Sequence, residues 1–65
     1  MKVICQKRVQ TLDKNGAIEK GRYIDKGDIC TVWGITQNLL VEISYPTSGG
    51  VRTAYIKSLE DFLQG

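Results

Sequence analysis

Between residues 39 and 57 the chain alternates apolar and polar positions with the two-residue period of a β-strand. Leu39, Val41, Ile43 and Tyr45 fall on one side, and Leu40, Glu42 and Ser44 on the other. That alternation predicts a half-buried strand over 39–45. A second run, Val51 to Lys57, places Ala54 and Ile56 on one face and Val51, Thr53, Tyr55 and Lys57 on the other. Between the runs stand Pro46, Thr47, Ser48, Gly49 and Gly50, so the two strands are expected to form a hairpin. Pro46 lacks an N–H for the ladder and is expected to end the first strand. With Ile56 in the core, the small Ala54 allows a close approach beneath a sheet crossing, and Tyr55 turns toward a groove.

The rest of the chain reads the same way. "KVICQ" at the start is a short β-type run. "RVQTLDKNGAIEKGRYI" is polar and contains Asn15-Gly16, a turn dipeptide in which both residues tolerate positive φ. It closes on Gly21 and the strand-like Arg22, Tyr23 and Ile24. "DKGD" is a further turn pivoting on Gly27. "ICTVWGI", residues 29–35, is rich in β-branched and aromatic residues. Strict alternation would set Cys30 and Val32 against Ile29, Thr31, Trp33 and Ile35. "TQN" is a tight connection. In "SLEDFLQG", Ser58 is expected to cap a turn or two of helix or 3₁₀, folding Leu59, Phe62 and Leu63 back onto the barrel. Five to seven short strands with Gly-containing turns and no amphipathic helix predict an all-β fold, a small antiparallel barrel. Closing the sheet also hides strand edges.

Sixty-five residues hold one domain, 1–65, with a thin core. At 42% hydrophobic the chain is too apolar for a disordered segment. No apolar run nears the roughly 20 residues of a membrane-spanning helix, and the first residues lack the apolar core of a signal peptide. No membrane partner is therefore expected. A net charge of +2 favours polyanions only mildly. Lys2, Lys7 and Arg8 give the first ten residues a basic bias, for which a solvated strand face is the simpler explanation. Cys5 and Cys30 stand far apart with no CxxC pair and no histidine in the chain, which argues against a zinc site. Their spacing leaves two free thiols or one bridge open. The strand-like run around Cys30 suits a buried thiol.

Candidate catalytic chemistry is sparse. Without histidine, Ser–His and Cys–His nucleophile pairs are impossible. Asp25 and Asp28 flank a turn, and Glu60 and Asp61 stand where carboxylates favour a helix start. Gly49-Gly50 has neither the helix nor the Lys-Ser/Thr of a phosphate loop. The chain by itself is not expected to be an enzyme, and no cofactor or metal is implied. Binding remains. Tyrosines near a barrel rim present flat apolar faces and a hydroxyl, suited to peptide backbone or sugar. Trp33 is either the cap of a satellite cluster with Ile35 or a groove floor.

"GRYIDKGDICTVWGI" followed by "LLVEISYPTSGGVRTAYIKS" resembles the bacterial Src-homology-3 (SH3b) family. The resemblance rests on Gly27-Asp28, Cys30-Thr31-Val32-Trp33, Ile43-Ser44-Tyr45, Ser48-Gly49-Gly50 and Thr53-Ala54-Tyr55-Ile56, and covers about residues 7–58. "ISYPTSGGVRTAYIKS" is especially similar to the cell-wall-binding repeats of clostridial and clostridial-phage lysins. Ala54 stands where that family usually has Gly, and no catalytic domain is present. The resemblance implies an SH3-like barrel that binds peptidoglycan, through stem peptide, cross-bridge or glycan. It would concentrate a lytic domain, in the same or a partner chain, on its substrate. Action would then be at the cell wall or extracellular face, after phage-lysin-type release or as an excised domain. It further implies a groove between the long loop before Gly21 and the connection before Leu39. That nominates Tyr23, Tyr45 and Tyr55, with Arg22, Asn38 and Arg52 as hydrogen-bonding neighbours.

Two other functions fit the residues. Lys2, Lys7, Arg8, Arg22 and Arg52 with Tyr23 and Tyr55 could give a stacking and phosphate surface for nucleic acid, which the seven acidic residues dilute. A protein–protein adaptor or oligomerisation module is the third.

Overall fold

The computed structural model describes residues 1–65 and is all-β. Seven strands form it: β1 (Lys2–Cys5), β2 (Val9–Leu12), β3 (Ile18–Ile24), β4 (Ile29–Ile35), β5 (Val41–Thr47), β6 (Gly50–Ile56) and β7 (Phe62–Gln64). They pair antiparallel throughout, in the order β3-β2-β6-β5-β4-β1-β7, as one sheet curled into a half-barrel. The concave face carries the core: Val3, Cys5, Ile24, Cys30, Val41, Ile43, Tyr45, Ala54, Ile56 and Phe62. Period-two alternation produces this set. Val41, Ile43 and Tyr45 of β5 face inward with Ala54 and Ile56 of β6, whereas Ser44 is paired with Thr53 on the other face.

Both cysteines are free and 1% exposed. Burial raises the pKa of Cys5, and pushes that of Cys30 up to about 11, because a thiolate would lose its water there. They are small core residues.

Asn15-Gly16 makes the expected turn between β2 and β3. The Asp13 carboxylate accepts from the N–H groups of Asn15 at 2.8 Å and Ala17 at 3.0 Å, and Gly16 takes φ +88°. The β3 strand then departs from a regular ladder. Gln10 pairs with Tyr23 and Leu12 with Ile18, so Thr11 alone faces the four residues Glu19 to Arg22. Side chains fill the gap: Gln10 Nε2 donates to the carbonyls of Glu19 (2.8 Å) and Arg22 (2.7 Å).

Four expectations change. Residues 58–61 form a turn rather than a helix, with Phe62 N–H donating to the Leu59 carbonyl at 3.0 Å. So short a segment nucleates a helix poorly, while the open edge of β1 offers β7 a ladder from Val3–Gln64 to Cys5–Phe62. The period becomes two, so Phe62 is buried and Leu63 points outward, 60% exposed. Leu39 lies outside the strand at φ +64° and is exposed, whereas Leu40 is buried. Thr36 holds that turn through bonds to Leu39 and Leu40. Pro46 does not end β5, which continues to Thr47, pairing Pro46 with Val51. Its fixed φ suits an extended chain, and near the hairpin end the missing N–H costs little. Finally, a bulge makes Trp33 an extra residue, moving Gly34 opposite Glu42 and Ile35 opposite Val41. Paired residues share a face, so Ile35 falls out of phase with Trp33.

Candidate functional site

Two elements distant in sequence meet beside β6. The β2–β3 hairpin tip brings Lys14 and Asn15; the connection between β4 and β5 brings Thr36, Gln37 and Asn38. With Tyr55 they line an open groove of about 390 Å³. Asn38 Nδ2 donates to the Lys14 carbonyl at 3.2 Å, tying the walls together, and its Oδ1 accepts from the Thr36 hydroxyl. Tyr55 is half-buried, with its strand position paired to Leu12 on one side and Glu42 on the other. The lining is amide-rich, with one ammonium and one aromatic ring. It can donate to and accept from a chain of amides or hydroxyls while stacking one apolar group on the ring.

Of the six residues nominated from the sequence, Asn38 and Tyr55 share this groove. Tyr45 and Arg52 belong elsewhere. Tyr45 is 4% exposed, a core residue, so it offers no ring face to a ligand. Its hydroxyl accepts from Arg52 Nη1 at 3.2 Å. Arg52 in turn forms a two-pronged pair with Glu19, Nη1 to Oε1 and Nη2 to Oε2, both 2.8 Å. Thr11, fully buried, donates from Oγ1 to Glu19 Oε1 at 2.9 Å. The Arg52 hydrogen bonds hold the Glu19 carboxyl below its ordinary pKa, and the Glu19 bonds raise that of Arg52. Arg52 is therefore occupied in holding the β3 bulge against β5 and β6.

Tyr23 and Arg22 stand apart from the first groove. Tyr23 is 37% exposed, with the Arg8 guanidinium 4.2 Å from its ring centroid. Arg8 also pairs with Asp25 at 3.1 Å, both side chains being exposed. Arg8 borders a second groove of about 350 Å³ at the hairpin base, floored by Val9, Leu12, Ile18 and Ile56. Arg22 is exposed, and its backbone carbonyl takes part in closing the bulge.

Trp33 is on the outer sheet face, 66% exposed, and donates from Nε1 to Ser44 Oγ at 2.6 Å. It forms no part of either groove. No three of the Cys, Asp and Glu side chains converge into a metal-sized cluster.

Sequence reasoning missed Lys14, Asn15, Thr36 and Gln37 as lining residues, although it marked both of their segments as connections. Glu19 carried no local signal, because its partner Arg52 is 33 positions away. No family model matches the chain, and neither the curated proteins nor the solved structures give a significant match.

Proposed function

We propose that this chain is a non-catalytic cell-wall-binding module that docks peptidoglycan in the groove of Tyr55 and Asn38 and targets a peptidoglycan hydrolase to it. The observation that carries this reading is the meeting of the hairpin tip with the 36–38 connection around Tyr55. This is where the SH3b resemblance implies a ligand groove. The lining suits the ligand: Asn15, Gln37 and Asn38 can pair with the amides of a stem peptide or cross-bridge, and Lys14 with a carboxylate. Tethering raises the local concentration of an attached lytic domain without contributing to its chemistry.

The nucleic-acid alternative loses ground because Arg52 is paired with Glu19 and Arg8 with Asp25, leaving fewer free cations for phosphates. Co-sedimentation with purified peptidoglycan stripped of teichoic acid, at low and high salt, tests the proposal. Pelleting that survives high salt and is lost in Tyr55→Ala and Asn38→Ala, both still folded, supports it. Absence of pelleting at either salt, or pelleting indifferent to both substitutions, overturns it.

A further inference from the structure

The ladder between β2 and β6 opens after a single pair. Leu12 is opposite Tyr55, and the same antiparallel register would set Gln10 opposite Lys57 and Val9 opposite Ser58. Neither of those pairs forms. β6 ends at Ile56, and Lys57 and Ser58 make no backbone-to-backbone hydrogen bond. Both separated stretches instead line the groove of about 350 Å³ at the hairpin base.

The floor of that groove is apolar, and Ile18 within it is 68% exposed. Its rim carries both signs of charge, Arg8 and Lys57 against Glu60 and Asp61. These charges do not neutralise one another. The two ion pairs of the molecule are Arg8–Asp25 and Arg52–Glu19, so Lys57, Glu60 and Asp61 are all unpaired. The volume is at the small end of ligand pockets, which run roughly 300–1,000 Å³. It suits one apolar side chain and the backbone beside it.

We propose that this groove docks an extended segment of another protein chain, one with an apolar residue between an acidic and a basic one. The backbone of the segment bonds the N–H and carbonyl groups of Lys57 and Ser58, adding a short strand where β2 leaves β6. Its apolar side chain enters the floor between Val9 and Ile18. Its acidic residue meets Arg8 or Lys57, and its basic residue meets Glu60 or Asp61. The rim selects this occupant over others. A phosphate polymer would meet two carboxylates, and a neutral glycan would leave every rim charge unmatched. No lining residue is shared with the groove of Tyr55 and Asn38, so the inference stands independently of the wall-binding proposal.

Amide NMR of the isotope-labelled full chain tests it, in titrations with short capped peptides rich in valine and threonine. Each carries glutamate at one end and lysine at the other, in both orders. The Gln10, Lys57 and Ser58 amides are expected to shift, while those of Thr36 and Asn38 stay in place. A peptide with serine at both ends should bind about fivefold more weakly. Ile18→Lys, at an exposed position and checked for unchanged melting, should weaken binding by about tenfold or more. Combining Lys57→Glu with Glu60→Lys should exchange the preferred order of the peptide ends. Groove amides that stay still up to millimolar peptide overturn the proposal. So does binding indifferent to both the peptide charges and Ile18→Lys. Muropeptides from digested wall are titrated in parallel; if they shift these amides and the peptides do not, the proposed occupant is wrong.

Discussion

Tyr45 and Tyr55 lie on neighbouring strands of one hairpin, yet they do opposite work. Tyr45 of β5 points inward and is 4% exposed, its hydroxyl accepting from Arg52, which in turn is paired with the Glu19 carboxylate that Thr11 also bonds. Tyr55 of β6 points the other way and enters an open groove beside Asn38. The difference is one of parity: a residue paired with Arg52 and a residue paired with Glu42 lie on opposite faces. Two tyrosines near the ends of neighbouring strand runs look alike in a sequence. The ladder decides which become internal fastening and which remain available.

If the Arg52–Glu19 cluster is fastening, breaking it should cost stability first. Arg52→Ala strands a carboxylate that has Thr11 as its other partner, and should lower stability by about 1–3 kcal/mol. Thermal melting reads this as roughly 4–8 °C per kcal/mol for a domain of this size. A Tm within a degree of the parent would remove Arg52 from the structural class.

Acid should act on the same pair. The folded pKa of Glu19 is depressed below its ordinary 4.5, so its stabilisation is complete above that value and lost as pH falls through the folded pKa. Denaturant midpoints measured on the acid side should fall less steeply in Glu19→Gln than in the parent. Parallel curves would show that the pair contributes nothing pH-dependent.

Tyr55→Ser should reverse the pattern of Arg52→Ala. Stability should drop by no more than about 1–2 kcal/mol for a half-buried ring, while wall co-sedimentation disappears. Binding that survives Tyr55→Ser but fails in Tyr45→Phe would invert the assignment of the two tyrosines.

The smallest expected effect is at Leu39, adjacent to Asn38. A leucine at φ +64° is strained by roughly 1–2 kcal/mol, and glycine relieves the strain at an entropic cost of its own. Leu39→Gly should therefore be neutral to about 1 kcal/mol stabilising. A clear loss of stability in a chemical-denaturation curve would mean that the exposed leucine packs against something.

The β class, the two glycine turns at Asn15-Gly16 and Gly49-Gly50, and the inward set of Val41, Ile43, Ala54 and Ile56 were legible in the sequence. Each depends on neighbours within a few positions, where φ preferences and side-chain alternation act directly. The outward side of Tyr55 was legible from its alternation with Ala54 and Ile56, although the groove walls Lys14 and Gln37 were not. Tertiary structure alone decided the rest. Residues 62–64 became a strand because the edge of β1 was open to them, a partner some sixty positions away that no local pattern announces. One bulge at Trp33 shifted Ile35 out of phase with the tryptophan, since a single extra residue inverts every later position. Glu19 reached Arg52 because Thr11 faces a four-residue bulge that folds β3 toward the hairpin. Alternation in the chain establishes which side chains share a strand face. Only the assembled ladder determines which of those faces meets another part of the molecule and which is left to solvent.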